Sequence, residues 1–312
     1  MNSKNFIWYA LPMMGLLLLM WLYEPWFYQR YIASTKIENV KKKDFKIIGH
    51  KGAAGYAPEN TLASLQVAMD MGVDMIEIDV HMTKDGEVVV FHDEDISRTT
   101  NGTGKIHELT LAEVKELDAG SWFSPKFAGE QVPTLREAID LVHGNADILI
   151  DIKSKGHEFY VNFAEIIVDI IDEKEDNKEW CIVQSYEQEY LEHAYARDST
   201  IQMKKLMMGE DESMLLSFYL NSKSFMTNRQ KHHFFETINP HYSTLSQRRI
   251  FRLHAKGYKV HTYVVNEPIE MIKMLNMAVD GIITDYPDRL VKIRKDIRKI
   301  HSDRKEEEEE AS

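Results

Sequence analysis

From residue 46 onward, short apolar runs alternate with longer stretches whose apolar positions fall three and four residues apart. KIIGH (46–50), MIEIDVHM (75–82), EVVVFH (87–92), DILIDIK (147–153), WCIVQS (180–185), IQMKKLM (201–207), TINPHY (237–242), KVHTYVV (259–265) and GIITD (281–285) read as strands. TLASLQVAMDMG (61–72), HEFYVNFAEIIVDIIDEK (157–174), SQRRIFRLHAKG (246–257) and PIEMIKMLNMAV (268–279) read as amphipathic helices between them, several closed by glycine. Strand alternating with helix argues for a parallel sheet. Roughly eight such repeats over about 250 residues fit an α/β fold of the (β/α)8 barrel type better than an open sheet.

One interval breaks the rhythm. Between His92 and Asp147 the chain carries a helix opened by a Thr110 cap (TLAEVKEL), then a loop rich in Gly, Ser and Pro before the next helix. That is too long for an ordinary connection, and it predicts a small insertion after the third strand, about 93–132, set over the barrel mouth.

The two ends depart from the pattern. Phe6 to Tyr23, FIWYALPMMGLLLLMWLY, holds eighteen residues without a charge, and aromatic residues flank it on both sides. At about 1.5 Å per residue the run approaches the roughly 30 Å of a bilayer core. No small-residue cleavage site follows it, so an uncleaved single-pass anchor is expected over 1–30, with a charged linker over 31–44. Lys4 precedes the span and Arg30, Lys36 and Lys41 to Lys43 follow it, which by the positive-inside rule favours a cytoplasmic barrel. N-terminal anchors that lead a domain outward are common, so the side of the membrane stays open. At the other end, after a barrel domain over 45–298, residues 299–312 with Glu306 to Glu310 read as an acidic disordered tail.

Composition narrows the classes. The 312 residues are 44% hydrophobic, enough for one large core. Lys and Arg number 38 against 50 Asp and Glu, a formal charge of −12, which argues against a nucleic-acid partner. The single cysteine, Cys181, excludes an internal disulfide and reads as a buried thiol. Nothing in the sequence speaks to oligomeric state.

In a barrel of this type, ligands meet the C-terminal ends of the strands. The first strand ends at His50 and Lys51. The second places Glu77 and Asp79 two residues apart, on one face. The third ends at His92, followed by Asp93, and the fourth puts Asp151 and Lys153 on one face. Carboxylates so placed repel one another unless a proton or cation lies between them. Glu77, Asp79 and Asp151 therefore suit a hard divalent cation such as Ca²⁺ or Mg²⁺, the rival being simple ion pairs with Lys51 or Lys153. Two histidines flanking such a site suit proton transfer to and from hydroxyl groups, and lysines beside it offset charge on a phosphoryl group.

The set HKGAAGYAPENT, EIDVHMTKDGEVVVFHD, DIK and DGIITDYPD resembles the glycerophosphodiester phosphodiesterase family, relatives of the phosphatidylinositol-specific phospholipase C barrels. The likeness runs from about Lys46 to Leu290 and is strongest over residues 48–103. It implies a (β/α)8 barrel with a small insertion after the strand that carries the second histidine. It also implies His50 and His92 as an acid–base pair, and Glu77 and Asp79 as ligands of one divalent cation, Ca²⁺, Mg²⁺ or Mn²⁺. Asp151 falls where the family usually has a glutamate ligand, and Lys153 matches a phosphate-facing lysine. Asn60, in the ENT motif with Glu59, binds phosphate or anchors the loop, and Tyr263 stands where many members have a substrate-pocket tryptophan. Lys51 replaces the family's phosphate-contacting arginine, keeping the charge but losing the planar two-pronged fork.

The implied reaction uses a glycerol hydroxyl as internal nucleophile, gives a cyclic phosphate that water opens, and yields glycerol 3-phosphate and an alcohol. His50 as first base and His92 as first acid is the reading preferred here, with the exchanged assignment open. A membrane position adds lysophospholipids to the substrate candidates, and Trp122, Phe123 and Phe127 in the insertion suit a lipid-facing rim. The rivals are a lysophospholipase D or phospholipase C-like activity, and a non-catalytic protein that only holds a phosphate-bearing ligand.

Overall fold

The computed structural model describes residues 45–154, 160–207 and 235–310, so the expected anchor (1–30) and linker (31–44) lie outside the described residues. The strands are β1 (Lys46–Gly49), β2 (Met75–Met82), β3 (Val88–Val90), β4 (Asp147–Ile152), β5 (Cys181–Ser185), β6 (Gln202–Leu206), β7 (Thr237–Asn239), β8 (Lys259–Thr262) and β9 (Gly281–Thr284). All but β3 pair in parallel, in the order β1-β9-β8-β7-β6-β5-β4-β2, and β1 pairs with β2 to close the barrel.

The run at 87–92 corrects the expectation that it is a stave of the barrel. It supplies β3, which pairs antiparallel with β2 through Val80–Val90, His81–Val89 and Met82–Val88. The cause lies in the link: Asp85-Gly86 turns the chain straight back, with Gly86 at φ +88°. His92 therefore follows a hairpin arm and reaches the site from beside β2, not from a stave of its own.

The helices are α1 (Leu62–Asp70), α2 (Leu111–Lys115), α3 (Leu135–Val142), α4 (Phe163–Asp172), α5 (Asn177–Trp180), α6 (Gln188–Arg197), α7 (Gln247–Ala255), α8 (Pro268–Asn276) and α9 (Pro287–Glu310). Thr110 caps α2 as expected, and Glu113 reaches back to complete the capping box. The predicted helix over 157–174 is realised as α4, which starts only at Phe163; residues 157–159 lie outside the described ones. Nor does the chain become irregular at residue 299, because α9 continues to Glu310. Buried Leu290, Ile293 and Ile297 fix its first turns against the barrel, and the Lys, Arg and Glu that follow are strong helix formers.

The side-chain period of two sorts each strand. Ile76, Ile78, Val80, Ile148, Ile150 and Ile152 face outward into the core between sheet and helices. Ile48, Met75, Leu149, Ile182 and Ile283 form a separate apolar layer inside the barrel. Cys181 belongs to the outer core, and burial pushes its thiol up to about 12. The insertion has a core of its own, built from Val89, Phe91, Ile96, Ile106, Val114, Ala119 and Val132. Glu130 ties it to the barrel by accepting from the Ala63 N–H at 3.1 Å, at the start of α1.

Candidate active site

Above the apolar layer, β2 carries Glu77, Asp79 and His81 inward at every second position, and β4 adds Asp151. Glu77, Asp79 and Asp151 each offer an oxygen within 4.8 Å of the other two, and all three are buried. Asp79 binds the most partners. Lys153 Nζ lies 2.9 Å from Asp79 Oδ1 and is also paired with Asp151, while Lys51 Nζ lies 3.9 Å from Asp79 Oδ2. Burial alone would raise Asp79, yet Lys153 and Lys51, with smaller help from His92 and His50, hold its carboxyl far below the usual carboxylate range.

Glu77 sits differently. Among the described residues its Oε2 accepts one hydrogen bond, from the Lys51 backbone N–H at 3.0 Å. Burial and then repulsion from Asp79 push Glu77 up to about 8. Burial also raises Asp151 despite the attraction of Lys153. Lys153 itself resists burial and stays protonated well above its ordinary value, through Asp151, Asp79 and Glu77. The lysine pairings weighed against metal binding are thus present at Asp79 and Asp151. They leave the trio short of positive charge, and Asp151 Oδ1 is buried without a hydrogen-bond partner among the described residues. A compact oxygen set with one carboxyl held protonated and one oxygen orphaned fits a hard divalent cation.

The two histidines are mounted alike. His50 Nδ1 donates to Asp285 Oδ1 at 2.6 Å, and His92 Nδ1 donates to Asp93 Oδ1 at 2.5 Å. A carboxylate on Nδ1 fixes the tautomer in which Nε2 carries the lone pair. Burial lowers His50, but the bond to Asp285 and the charge of Glu77 outweigh it and raise the imidazole above its ordinary value. Asp285 is braced in turn by Asn266, whose Nδ2 donates to Oδ2 at 2.6 Å.

Other expected site residues take more specific places. Lys51, with φ +51°, is buried and donates from Nζ to Glu59 Oε1 at 2.9 Å. Asn60, with φ +59°, spends both ends of its side chain on Asp79: Nδ2 donates to Oδ2 at 2.8 Å, and Oδ1 accepts the Asp79 N–H at 3.1 Å. Both polar atoms of the Asn60 side chain are thus engaged by Asp79, an arrangement that ties the loop after β1 to β2. Tyr263 packs edge-on to His241, with ring centroids 5.5 Å apart, and its hydroxyl donates to the Met207 carbonyl.

Several contributors escape a residue-by-residue reading. Arg98 links the two halves of the site, donating from Nη1 and Nη2 to Glu59 at 3.0 and 2.7 Å and from Nε to Asp93. His81 is buried, bonded through Nε2 to the His92 carbonyl and through Nδ1 to the Tyr160 hydroxyl, both at 3.0 Å. Burial drops it to about 4, so it serves as a neutral strut. Its period-two spacing from Glu77 and Asp79 was the available signal. Asp285 closes the strand-like run GIITD inside the motif DGIITDYPD, but its pairing with His50 had no signal, because barrel closure sets it. Arg98 had none, because the insertion's path sets its partners.

Comparison with known proteins gives a consistent result. The family described as glycerophosphoryl diester phosphodiesterase matches residues 50–289. A glycerophosphodiester phosphodiesterase of Caldanaerobacter subterraneus subsp. tengcongensis is 36% identical over 249 residues, covering 79% of this chain and 96% of the relative. A human lysophospholipase D is 29% identical over 285 residues, covering 82% and 88%. Among solved structures, an Oleispira antarctica phosphodiesterase in complex with the product sn-glycerol-3-phosphate superposes with a TM-score of 0.69 at 29% identity, covering 80% of this chain and 96% of that one.

Proposed function

The chain belongs to the glycerophosphoryl diester phosphodiesterase family and is a metal-dependent phosphodiester hydrolase, and from that premise we propose how its own residues divide the work. The observation that carries the reading is the matched pair of imidazoles, each held on Nδ1 by a carboxylate, beside a buried trio of acids.

His50 Nε2 takes the proton from the glycerol hydroxyl adjacent to the phosphorylated carbon, and its raised basicity suits that role. That oxygen attacks phosphorus, and His92 Nε2 gives its proton to the leaving alcohol. In the second half His92 takes a proton from water and His50 returns one to the glycerol oxygen, so that the cyclic phosphate opens to glycerol 3-phosphate. Exchanging the two histidines gives the same balance. A divalent cation held by Glu77, Asp79 and Asp151 supplies Lewis-acid polarisation and offsets charge that builds on the phosphoryl oxygens. Lys153 and Lys51 add fixed positive charge at the same place. Ca²⁺ and Mg²⁺ both suit an all-oxygen donor set, and Mn²⁺ is a further candidate.

The reading is tested by supplying the purified chain with Ca²⁺, Mg²⁺ or Mn²⁺ and glycerophosphocholine. Release of sn-glycerol 3-phosphate supports it, and no release from any glycerophosphodiester with any of the three ions sinks it. A second substrate class, lysophospholipid, is favoured by the likeness to the human lysophospholipase D and by the exposed Trp122, stacked edge-on with Phe123 in the insertion. Comparing lysophosphatidylcholine with glycerophosphocholine decides between them. The uncharged run at Phe6–Tyr23 supports a single-pass anchor that keeps the barrel within reach of such headgroups.

A further inference from the structure

The opposite end of the barrel also carries chemistry. Lys46, Met75, Asp147, Gln202, Thr237 and Lys259 all stand at strand starts, and with Glu236, Lys204 and His261 they line a cavity of about 630 Å³. The layer of Ile48, Leu149, Ile182 and Ile283 lies between this cavity and the acidic trio. Its polar groups therefore take no part in the reaction described above.

Lys204 is the unusual member. It is 6% exposed, and its Nζ lies 3.2 Å from Met75 Sδ and 3.4 Å from His261 Nδ1. No carboxylate among the described residues forms an ion pair with it, and Asp147 is bonded instead to Lys46 at 3.0 Å. Asp147 still lends Lys204 some attraction at a distance, and Lys46 and Lys259 add repulsion. A buried ammonium with two like charges nearby, and its nearest acid already paired to Lys46, is costly. Two responses are open to it: lose the proton, or acquire an anion.

We propose that this cavity is a second binding site, for inorganic phosphate or a small phosphomonoester, with Lys204 as its buried counter-charge and Lys259 at its mouth. Lys259, like Lys204, has no ion pair among the described residues, and the lining's three lysines, Lys46, Lys204 and Lys259, outnumber its carboxylates, Asp147 and Glu236, so an entering anion meets a net positive wall. The volume falls within the roughly 300–1,000 Å³ of small-molecule sites, leaving room for an organic group beyond the phosphate itself. Burial, partly offset by Asp147 and reinforced by Lys46 and Lys259, brings Lys204 down to about 7, so an entering anion would fix its proton. His261, also buried, is held well below its ordinary value and stays a neutral partner.

The test titrates the full chain, Lys204→Met and His92→Ala with inorganic phosphate and, separately, with glycerol 3-phosphate, by calorimetry. The expected result is a binding event that survives in His92→Ala and weakens at least tenfold in Lys204→Met, while Lys204→Met hydrolyses glycerophosphocholine at a rate within about twofold of the parent. Equal binding of both probes identifies a phosphate site, and tighter glycerol 3-phosphate identifies a phosphomonoester site. Binding unchanged in Lys204→Met, or no binding event that survives in His92→Ala, overturns the proposal. Crystals of the parent chain soaked in tungstate give a reading that needs no folded variant: anomalous density beside Lys204 supports the site, and density confined to the Glu77 end refutes it. Failure of hydrolysis alone would leave this site standing, so the two readings fall separately.

Discussion

At the scale of single residues, the site is organised by unequal treatment of chemically similar groups. Asp79 has two ammonium groups and Asn60; Glu77, on the same strand face, has one backbone N–H and is pushed up to about 8. Metal binding must therefore displace a proton. Between the ordinary glutamate value and about 8, divalent-ion affinity should rise up to tenfold per pH unit, with a proton released on binding at pH 7. Calorimetry in buffers of different ionisation enthalpy measures that proton, and Glu77→Gln should abolish it. The histidines invite a second test. Replacing either by alanine should cost about 10²–10⁴ in turnover, with the circular dichroism spectrum unchanged. Asp285→Asn removes the partner that raises His50, so His50 should titrate lower and the acid limb of the kcat/KM profile should move to lower pH. A limb that stays in place would remove His50 from the role of base. Much of this was legible beforehand, because Glu77, Asp79, Asp151 and Lys153 follow from period two alone. Asp285 was not: it meets His50 only because barrel closure lays β9 beside β1.

At the scale of elements, the chain shows nine strand-like runs where eight staves are needed, and periodicity does not say which is surplus. The turn does. Asp85-Gly86 between alternating apolar runs is a hairpin signal, and it assigns Val88–Val90 to an arm folded back on β2. The loop after β1 is constrained more tightly. Gly52 has φ +87°, and a Cβ there would lie 2.3 Å from Ser64 Oγ and 2.6 Å from the Ser64 carbonyl carbon. Gly52→Ala thus combines left-handed strain of about 1–2 kcal/mol with overpacking of about 1–3 kcal/mol. It should lower stability in urea and, because Lys51 and Asn60 ride on that loop, turnover as well. Gly86→Ala is the control: its φ is equally positive, but nothing lies within 4 Å, so only the left-handed strain of about 1–2 kcal/mol is expected, with turnover kept. Equal damage from both would show that crowding against α1 does not position the site. The end of α9 illustrates the converse limit of sequence reading. A run of glutamates matches a solvated tail and an exposed helix end equally well, and here the packed first turns let the helix run on.

For the whole molecule, the division of labour runs along the barrel axis, with the acidic trio and its two carboxylate-held histidines at one end, the cavity around Lys204 at the other, and an apolar layer between. Residue 45 enters beside β1's start, so whatever precedes it joins the barrel at the end away from the acidic trio. No helix among the described residues is long and apolar enough to cross a membrane, and the uncharged run Phe6–Tyr23 is the proposed anchor. The expected outcome is that the full chain stays with membranes after a carbonate wash, whereas a chain beginning at residue 41 is released. Turnover of glycerophosphocholine, which diffuses freely, should be alike for the two. Turnover of lysophosphatidylcholine in vesicles should fall in the shortened chain, because tethering raises the local concentration of enzyme at the surface. If the shortened chain still pellets with membranes, the hold lies elsewhere. If it is released and loses activity on the soluble substrate as well, the N-terminal segment supports the barrel and does more than place it.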